Sequence, residues 1–356
     1  MDRIAGLTFA ALVLAACGCG EKTKTQLSGT QWSQADVVFH LDQKWLGSDG
    51  AWSIPLSGDR VLWLFGDTFV ATSDKHLRSE SKMVRNTVAI QQGLDPLTAD
   101  FSFWWKGTSD APASFFPEDG DEWFWPAHGV SLGDAVVIFL QREKASSDGL
   151  GFQPAGWRAV IVGDDTNVPT KWNLLNADPS APRPGLAIGA VFTDADHVIA
   201  LAERESPNDH AGMLARWLKS DLLAGSVDAT EWWTADGWSA SGDPVVVMKN
   251  AGPEMSLHFD ATLKKWVHVR SDGFGATTIV ASYADQPQGP WSDPKVVFRP
   301  PESDRPNILV YAAKAHPELN AGGQLAVTYA TNTTAGIGEL VKDTSLYFPR
   351  FMRFTP

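Results

Sequence analysis

Residues 48–56 read Ser-Asp-Gly-Ala-Trp-Ser-Ile-Pro-Leu, and residues 61–69 read Val-Leu-Trp-Leu-Phe-Gly-Asp-Thr-Phe. Both segments are short and rich in β-branched and aromatic residues, and the Ser57-Gly58-Asp59 between them is typical of a turn. The pattern predicts a β-hairpin. The same order of start segment, turn and apolar strand returns four more times along the chain, which makes this hairpin the unit of a repeat.

The five hairpins recur with a loose period of about 65 residues, and each leaves room for two further strands. We therefore predict an all-β fold, a five-bladed β-propeller. A β-sandwich is the alternative, but five similar hairpins favour the propeller. Either Val37–Phe39 or Phe348–Phe354 would supply the strand that closes the ring. The five hairpins start at Asp49–Ser53, Trp125–Ser131, Leu186–Phe192, Glu254–Phe259 and Tyr311–His316.

Two segments between the hairpins are less regular. Val245–Met248 is apolar and β-branched and is predicted to be a strand. Met213–Leu223 has a spacing close to that of a helix, but its neighbours suit a strand and a loop equally well. The sequence leaves the structure of Met213–Leu223 open.

The first residues have the features of an export signal. Arg3 precedes an apolar run from Ile4 to Ala16, which is too short to cross a bilayer of about 30 Å as a helix. The run ends in Leu-Ala-Ala-Cys-Gly, which resembles a lipobox and implies lipidation of Cys17. An ordinary signal peptide that is cleaved nearby is the alternative.

The leader also sets the expected domain organisation and compartment. We expect a signal peptide over residues 1–16, a polar tether over residues 17–33 and one domain over residues 34–356, exported and lipid-anchored at the cell envelope. Both cysteines, Cys17 and Cys19, lie in the leader, so no disulfide is expected in the domain.

Composition excludes several classes of function. The net charge of -13 argues against nucleic acid as a partner, because a nucleic-acid binder needs a basic face. The sequence has no phosphate-binding glycine loop, no Gly-x-Ser-x-Gly elbow and no zinc-like spacing. We therefore expect no cofactor and no tightly bound metal, although oxygen ligands for calcium in the channel would leave little trace. We also expect a monomer. The 16 tryptophans against 4 tyrosines suit a core with some stacking platforms for sugar rings.

Asp49 and Asp67 are the first catalytic candidates. The predicted hairpin brings both to the same end of blade one, and two acids in one cleft can hold different protonation states, as glycoside hydrolysis requires. The alternative for Asp67 is an Asx-type turn with Thr68 that caps the strand.

The opening hairpin resembles a bacterial family of secreted propeller proteins long described only as domains of unknown function, whose characterised members include endo-D-arabinanases. The resemblance spans nearly the whole mature domain and supports a functional role for Asp49 and Asp67. Further segments that fit the same pattern are Arg85-Asn86-Thr87, 233–238, 254–257, 265–267, 288–292 and 311–318.

The resemblance also implies a role for Glu254. In five-bladed furanosidases of the arabinanase and fructosidase type, a carboxylate on an inner strand across the ring is the general acid, and Glu254 is the candidate here. An acid that accepts hydrogen bonds from channel backbone amides is the alternative.

Several further residues are candidates for binding the substrate. His128 and His316 lie on the second and fifth inner strands, where a histidine can bind a sugar hydroxyl, tune a carboxylate or serve the structure alone. Lys314 and Arg85 could contact hydroxyls. The remaining substrate-binding candidates are Trp52, Asn86 and Trp125.

The leading hypothesis is a cell-envelope glycoside hydrolase that acts on a furanose-containing, arabinan-like polysaccharide through these carboxylates. The second is a lipid-anchored surface protein that binds a glycan without cleaving it, because propellers serve for binding as well as for catalysis. A structural envelope lipoprotein with a plugged channel is a third.

Overall fold

The computed structural model describes residues 28–149, 151–181, 186–204, 210–273, 275 and 278–356. The predicted signal peptide, the lipidation site Cys17 and most of the predicted tether lie outside these residues. Within the described ranges, no helix is both long and apolar enough to cross a membrane.

Antiparallel sheets follow one another along the chain as blades. A first short strand is β1 (Gly29–Gln31). Blade one consists of β2 (Trp45–Leu56), β3 (Arg60–Ala71), β4 (Ser81–Val84), β5 (Thr87–Gln92) and β6 (Asp100–Trp104). A ribbon of β7 (Lys106–Gly107) and β8 (Pro112–Ala113) leads into blade two, which consists of β9 (Glu122–Leu132), β10 (Ala135–Ala145), β11 (Phe152–Val162) and β12 (Leu174–Ala177).

Blade three consists of β13 (Leu186–Thr193), β14 (His197–Arg204), β15 (Gly212–Leu218), the helix α1 (Lys219–Leu223), β16 (Glu231–Thr234) and β17 (Gly237–Ser239). Blade four consists of β18 (Met255–Asp260), β19 (Lys265–Ser271), β20 (Ile279–Ala284) and β21 (Lys295–Phe298). Blade five consists of β22 (Ile308–His316), β23 (Leu325–Thr333), the helix α2 (Ile337–Lys342) and β24 (Arg350–Phe354), with β1 as its outer strand. Short 3-10 helices cover Ala35–His40, Arg78–Glu80, Pro169–Lys171 and Pro301–Asp304.

The prediction of an all-β, five-bladed propeller is confirmed. The first strand of each blade, namely β2, β9, β13, β18 and β22, contacts the first strand of the next blade, and β22 contacts β2 to complete the ring. Each predicted hairpin start falls on one of these inner strands, except that Glu254 lies one residue before β18. Residues far apart in sequence therefore face one central axis.

The ring is closed by both ends of the domain. Gly29 pairs with Phe354 and Gln31 with Met352, so the last strand and the first share one sheet. Arg350–Phe354 is thus a closing strand, as predicted for the C-terminal segment. The alternative, Val37–Phe39, is wrong as a strand, because it lies in a 3-10 helix whose Val38 and Phe39 are buried. The folded part begins before residue 34, since β1 lies within the segment predicted as tether.

The two irregular segments also have physical explanations. Val245–Met248 is not a strand: β16 pairs with β15 at Ala215 and Arg216, and of this segment only Met248 pairs with β15, through an isolated bridge to Gly212. Met213–Leu223 is mixed: it continues β15 to Leu218 and then turns into α1. Its ambiguous spacing reflects a change of structure within the segment.

Aromatic packing holds the closed ring together beneath blade one. The ring of Phe39 stacks on Phe351 at 5.4 Å and meets Trp63 edge-on at 5.5 Å, so the 3-10 helix, blade five and blade one share one cluster. Such aromatic pairs contribute about 0.5–1.5 kcal/mol each beyond the area that they bury. The rigid base that results supports the strands that carry Asp49 and Asp67.

Candidate active site

Asp49 lies in an irregular part of β2. The register between β2 and β3 shifts three times between Trp45 and Trp52, and the backbone is left-handed at Gly50 (φ 81°) and Ala51 (φ 60°). Bulges of this kind redirect a side chain from the regular alternation of a strand. They leave Asp49 directed toward blade five.

The Asp49 carboxyl group is held by two tyrosines. Oδ2 of Asp49 accepts hydrogen bonds from the hydroxyl of Tyr311 (2.7 Å) and from that of Tyr347 (3.2 Å). Burial, together with the negative charges of Glu254 and Asp67, raises the pKa of Asp49 to about 7, although the two tyrosine hydrogen bonds oppose the shift. A large fraction of Asp49 therefore carries a proton near neutral pH.

Gly66 makes room for Asp49. A Cβ atom at position 66 would lie 2.5 Å from Oδ1 of Asp49, closer than nonbonded atoms approach. Any larger residue would therefore displace the carboxyl group. Gly66 was not among the predicted site residues, although its place directly before Asp67 in the hairpin motif was a signal that could have identified it.

Asp67 lies inside β3 and is held by donors from two other segments. Oδ1 accepts a hydrogen bond from Nε1 of Trp125 (2.9 Å), and Oδ2 accepts one from Nη1 of Arg85 (3.3 Å). Burial raises the pKa of Asp67, and both donors counteract that rise. The Asx-turn interpretation is wrong, because Asp67 lies in a strand and its carboxylate bonds to distant side chains. The Arg85 guanidinium also lies 4.2 Å from the ring centroid of Trp123.

Glu254 forms an ion pair with Lys314. Nζ of Lys314 donates to Oε1 of Glu254 (2.9 Å) and to the carbonyl oxygen of Ala312 (3.0 Å), and it lies 4.5 Å from the ring centroid of Trp52. Burial lowers the pKa of Lys314, whose side chain is 1% exposed, and Glu254 opposes that shift. Glu254 thus bonds to a cation rather than to channel backbone amides.

The three predicted catalytic acids form one electrostatic group. The charges of both Glu254 and Asp67 act on Asp49, although the three side chains come from β2, β3 and the residue before β18. The side chains of Asp67 and Glu254 are 17% and 29% exposed, and Asp49 is partly exposed. The three carboxyl groups are therefore close enough for the charges of two of them to act on the third, and each is partly open to solvent.

A buried hydroxyl network supports the bulge from below. The hydroxyl of Thr68 donates to that of Ser48 (2.9 Å), which in turn donates to the carbonyl oxygen of Asp67 (2.9 Å). Thr68 also hydrogen-bonds to Thr87, whose hydroxyl accepts a bond from Nε1 of Trp45. These bonds satisfy polar groups that the bulge takes out of the sheet ladder, and they connect the backbones that carry Asp49 and Asp67.

His128 serves the structure of the channel. Its Nδ1 accepts a hydrogen bond from the backbone nitrogen of Val191 (2.8 Å), its Nε2 bonds to the carbonyl oxygen of Ser53 (3.1 Å), and its ring stacks on Trp52 at 5.4 Å. Burial lowers the pKa of His128 to about 4, so the ring is neutral at physiological pH. Both ring nitrogens are occupied, and blades one and three are linked through them.

His316 has the same role on the opposite wall. Its Nδ1 bonds to the hydroxyl of Ser53 and its Nε2 to that of Thr328, and burial lowers its pKa. The residue is 1% exposed. Neither histidine has a ring nitrogen left for a sugar hydroxyl, which favours the structural interpretation of both.

The other substrate-binding candidates fall into two groups. Asn86 is fully buried and makes all its hydrogen bonds to the backbone of Phe116 and Phe124, and Trp52 is almost completely buried. Arg85, Trp125 and Lys314 bond directly to the acids. Sequence reasoning missed Tyr311 and Tyr347 as site residues because they lie 262 and 298 positions from Asp49.

The carboxylates of the site are paired with organic donors. In the described part of the chain, no three His, Cys, Asp or Glu side chains are grouped as metal ligands would be. The partners of the acids are instead tyrosine hydroxyls, an indole, a guanidinium and an ammonium group. Such a set suits acid–base chemistry on carboxyl groups.

The chain has relatives in sequence. A family described as "Domain of unknown function (DUF5005)" matches residues 34–356. Notoamide biosynthesis cluster protein J from Aspergillus sp. (strain MF297-2) is 25% identical over 305 residues, which cover 77% of this chain and 76% of the relative.

Solved structures with the same architecture include that of a Bacteroides ovatus ATCC 8483 protein described provisionally as a hydrolase. It has a TM-score of 0.73 and 15% identity, over 91% of this chain and 89% of that one. The catalytic domain of the Coprinopsis cinerea GH62 α-L-arabinofuranosidase has a TM-score of 0.47 and 11% identity, over 88% and 92% of the two chains. The first similarity supports the fold, and the second is too weak for a functional inference.

Proposed function

This chain belongs to the DUF5005 family, and we propose that it is a glycoside hydrolase that cleaves a furanose-containing, arabinan-like polysaccharide with Asp49, Asp67 and Glu254. The observation that carries the proposal is the coupling of three partly exposed carboxyl groups, one of which has a pKa near 7. Glycoside hydrolysis needs one carboxylic acid and one carboxylate beside the scissile bond. The choice of an arabinan-like substrate rests on the resemblance of the opening hairpin to the propeller family that includes endo-D-arabinanases.

In this proposal Asp49 is the general acid, the role that the family resemblance had implied for Glu254. A general acid must hold its proton at the working pH, and the raised pKa of Asp49 allows that. Both tyrosine hydroxyls donate to Oδ2, so the proton of Asp49 would reside on Oδ1, the oxygen beside Gly66. Protonation of the leaving oxygen would then occur from Oδ1.

Glu254 is the better candidate for the base or nucleophile. Its Oε1 is paired with the ammonium group of Lys314 at 2.9 Å. Its Oε2 accepts no hydrogen bond from the described residues, and its side chain is more exposed than that of Asp67. Asp67, held by Trp125 and Arg85, would supply an oxygen for a sugar hydroxyl.

We further propose that the protein acts at the cell envelope as a lipid-anchored monomer with a polysaccharide or oligosaccharide as its partner. The support is the signal-like run over residues 4–16 and the lipobox-like context of Cys17. Growth of an expressing bacterium with labelled palmitate tests this. The label should enter the wild-type protein and be absent from Cys17→Ala; label in both would refute lipidation at Cys17.

Incubation of the purified domain with arabinans, fructans and related polymers tests the hydrolase function. We expect new reducing ends from an arabinan-type polymer with wild type and with Asp293→Asn, a control at an exposed acid outside the site. Asp49→Asn should release almost none while it keeps its circular dichroism spectrum. Retention of a polymer without cleavage by wild type would favour the glycan-binding alternative.

A further inference from the structure

A pocket of about 270 Å³ lies where blade one meets the loop that leads into blade two, and one of its lining residues, Glu118, acts electrostatically on Asp67. Its walls are β4, the β7–β8 ribbon and the loop that leads into blade two. The volume is close to the lower end of pockets that hold small ligands, about 300 Å³. The lining residues are Lys82, Met83, Val84, Lys106, Ala113, Ser114, Pro117 and Glu118.

The pocket is linked to Asp67 through Arg85 and Glu118. Val84 directly precedes Arg85, the partner of Asp67. The backbone nitrogen of Arg85 donates to the hydroxyl of Ser114 (3.0 Å), which lies in the pocket wall. The charge of Glu118 acts on Asp67 and raises its pKa. These links place the pocket next to Asp67, within reach of a substituent on a polymer bound there.

Two ammonium groups dominate the charge of the pocket. Neither Lys82 nor Lys106 has an ion-pair partner among the residues that the structure describes, and Glu118 is the one acid in the lining. Nζ of Lys106 lies 5.7 Å from the ring centroid of Phe115. Both lysines are exposed, and partial burial lowers the pKa of Lys106. An anion bound between the two lysines would meet two positive charges that form no ion pair within the described residues.

We propose that the pocket is a substrate subsite and that it binds an acidic substituent of the glycan, a carboxylate or a sulfate or phosphate ester, between Lys82 and Lys106. The inference rests on the proposed hydrolase function, because it treats the pocket as an extension of the catalytic site. It narrows the substrate to a glycan that carries negative charge next to the bond that is cleaved.

Binding to the inactive Asp49→Asn protein tests the subsite, because this variant would not consume its ligand. The probes for affinity electrophoresis are polygalacturonate, dextran sulfate, a phosphomannan and neutral linear arabinan. We expect at least one acidic polymer to bind more tightly than neutral arabinan. Adding Lys82→Gln and Lys106→Gln should weaken that binding by about tenfold, which corresponds to about 1.4 kcal/mol, because the anion loses both of its ammonium partners.

Lys171→Gln with Lys342→Gln is the matched control, because it removes the same charge at exposed lysines outside the pocket. This pair should leave the binding unchanged. The inference is overturned if no acidic polymer binds, if the pocket variant binds as well as its parent, or if the control weakens binding equally.

Hydrolysis by the wild-type chain separates this inference from the proposed function. If wild type cleaves neutral arabinan and binds no acidic polymer, the subsite fails and the hydrolase function stands. If an acidic polymer binds through the two lysines but neither it nor any other glycan is cleaved, the hydrolase function fails. In that case the pocket is an anion-binding site on a glycan-binding protein. Its specificity for anions would be supported, and its role as a subsite of a catalytic site would be refuted.

Discussion

Blade one and blade three each contain a tightly packed glycine, but the two glycines make room for different kinds of side chain. In blade one, a Cβ at Gly66 would meet Oδ1 of Asp49 at 2.5 Å; in blade three, a Cβ at Gly189 would meet Sδ of Met255 at the same distance. The first glycine makes room for a carboxyl group, and the second makes room for the buried side chain of the next blade. The same close approach to a glycine therefore occurs at the candidate site in blade one and in the apolar core in blade three.

The inner strands of the two blades also differ in regularity. The inner strand of blade one shifts register three times around Asp49, whereas that of blade three shifts once and buries the apolar run from Leu186 to Val191. The irregular backbone of blade one exposes some polar groups at the mouth of the channel. The polar groups that stay buried form hydrogen bonds within the hydroxyl network below the bulge. The comparison predicts that changes in blade one affect chemistry and that changes in blade three affect stability.

The largest expected effect is that of Asp49→Asn. Loss of a general acid typically costs roughly 10²–10⁴-fold in rate, so we expect turnover to fall by about 10³-fold while the protein stays folded. Turnover on the polymer identified by the panel measures this. A variant that retains more than a tenth of wild-type turnover would remove Asp49 from the catalytic role.

The second prediction compares the two glycines directly. Gly66→Ala should lower turnover by about 10²-fold with little loss of stability. The new methyl group would displace Oδ1 of Asp49, and a small displacement of a catalytic group can lower the rate by this factor. Gly189→Ala should keep its turnover and lose about 1–3 kcal/mol in the free energy of unfolding, as overpacked cores do. Urea denaturation and initial rates check both. The same outcome in both blades would break the comparison.

The third prediction concerns the pH profile of kcat/KM. Activity should fall as pH rises through about 7, because the free enzyme then loses the Asp49 proton. The hydrogen bond from Tyr311 lowers the pKa of Asp49, so Tyr311→Phe should move this alkaline limb to higher pH. A limb that stays in place in Tyr311→Phe would assign the titration to another group.

The smallest expected effect is on the pH dependence of stability. The folded-state pKa of Asp49, about 7, lies above its ordinary value of 3.8, so the folded state binds more protons between these values. The contribution of Asp49 to the stability of wild type is therefore fully present below pH 3.8 and is lost as pH rises through about 7. The Tm of Asp49→Asn relative to wild type should rise by a few degrees between pH 5 and pH 8.

Gly189→Ala is the control for this measurement. The atoms nearest its added Cβ belong to Met255 and Leu201, neither of which titrates. Its Tm deficit should be the same at pH 5 and pH 8. If the Tm deficit of Gly189→Ala changed with pH as strongly as the Tm difference of Asp49→Asn, the pH dependence could not be assigned to Asp49.

The fold could be predicted from sequence because it rests on local patterns. Five turn-linked apolar hairpins identify the five inner strands, since alternation and turn residues act within about ten positions. The closing strand was harder to assign. Val37–Phe39 has the composition of a strand, but Phe39 packs against Trp63 and Phe351 and the segment becomes a 3-10 helix. Tertiary packing overrides local preference there.

The candidate site was only partly predictable. Asp49 and Asp67 share one hairpin, so their proximity follows from the local motif, and the resemblance added Glu254. Tyr311 and Tyr347 are brought to Asp49 only by ring closure, and nothing in their local sequence signals that contact. His128 and His316 sit on inner strands as expected, yet both ring nitrogens of each are used by the scaffold.

By itself the sequence determined the number of blades, their order and the hairpin with its two acids, because these depend on interactions between near neighbours along the chain. Only the tertiary structure decided which acid holds a proton. Protonation depends on burial, on nearby charges and on hydrogen bonds. For Asp49 the charges come from Glu254 beside blade four and Asp67 in blade one, and the hydrogen bonds come from two tyrosines of blade five. The catalytic role of a carboxyl group is a property of the closed ring.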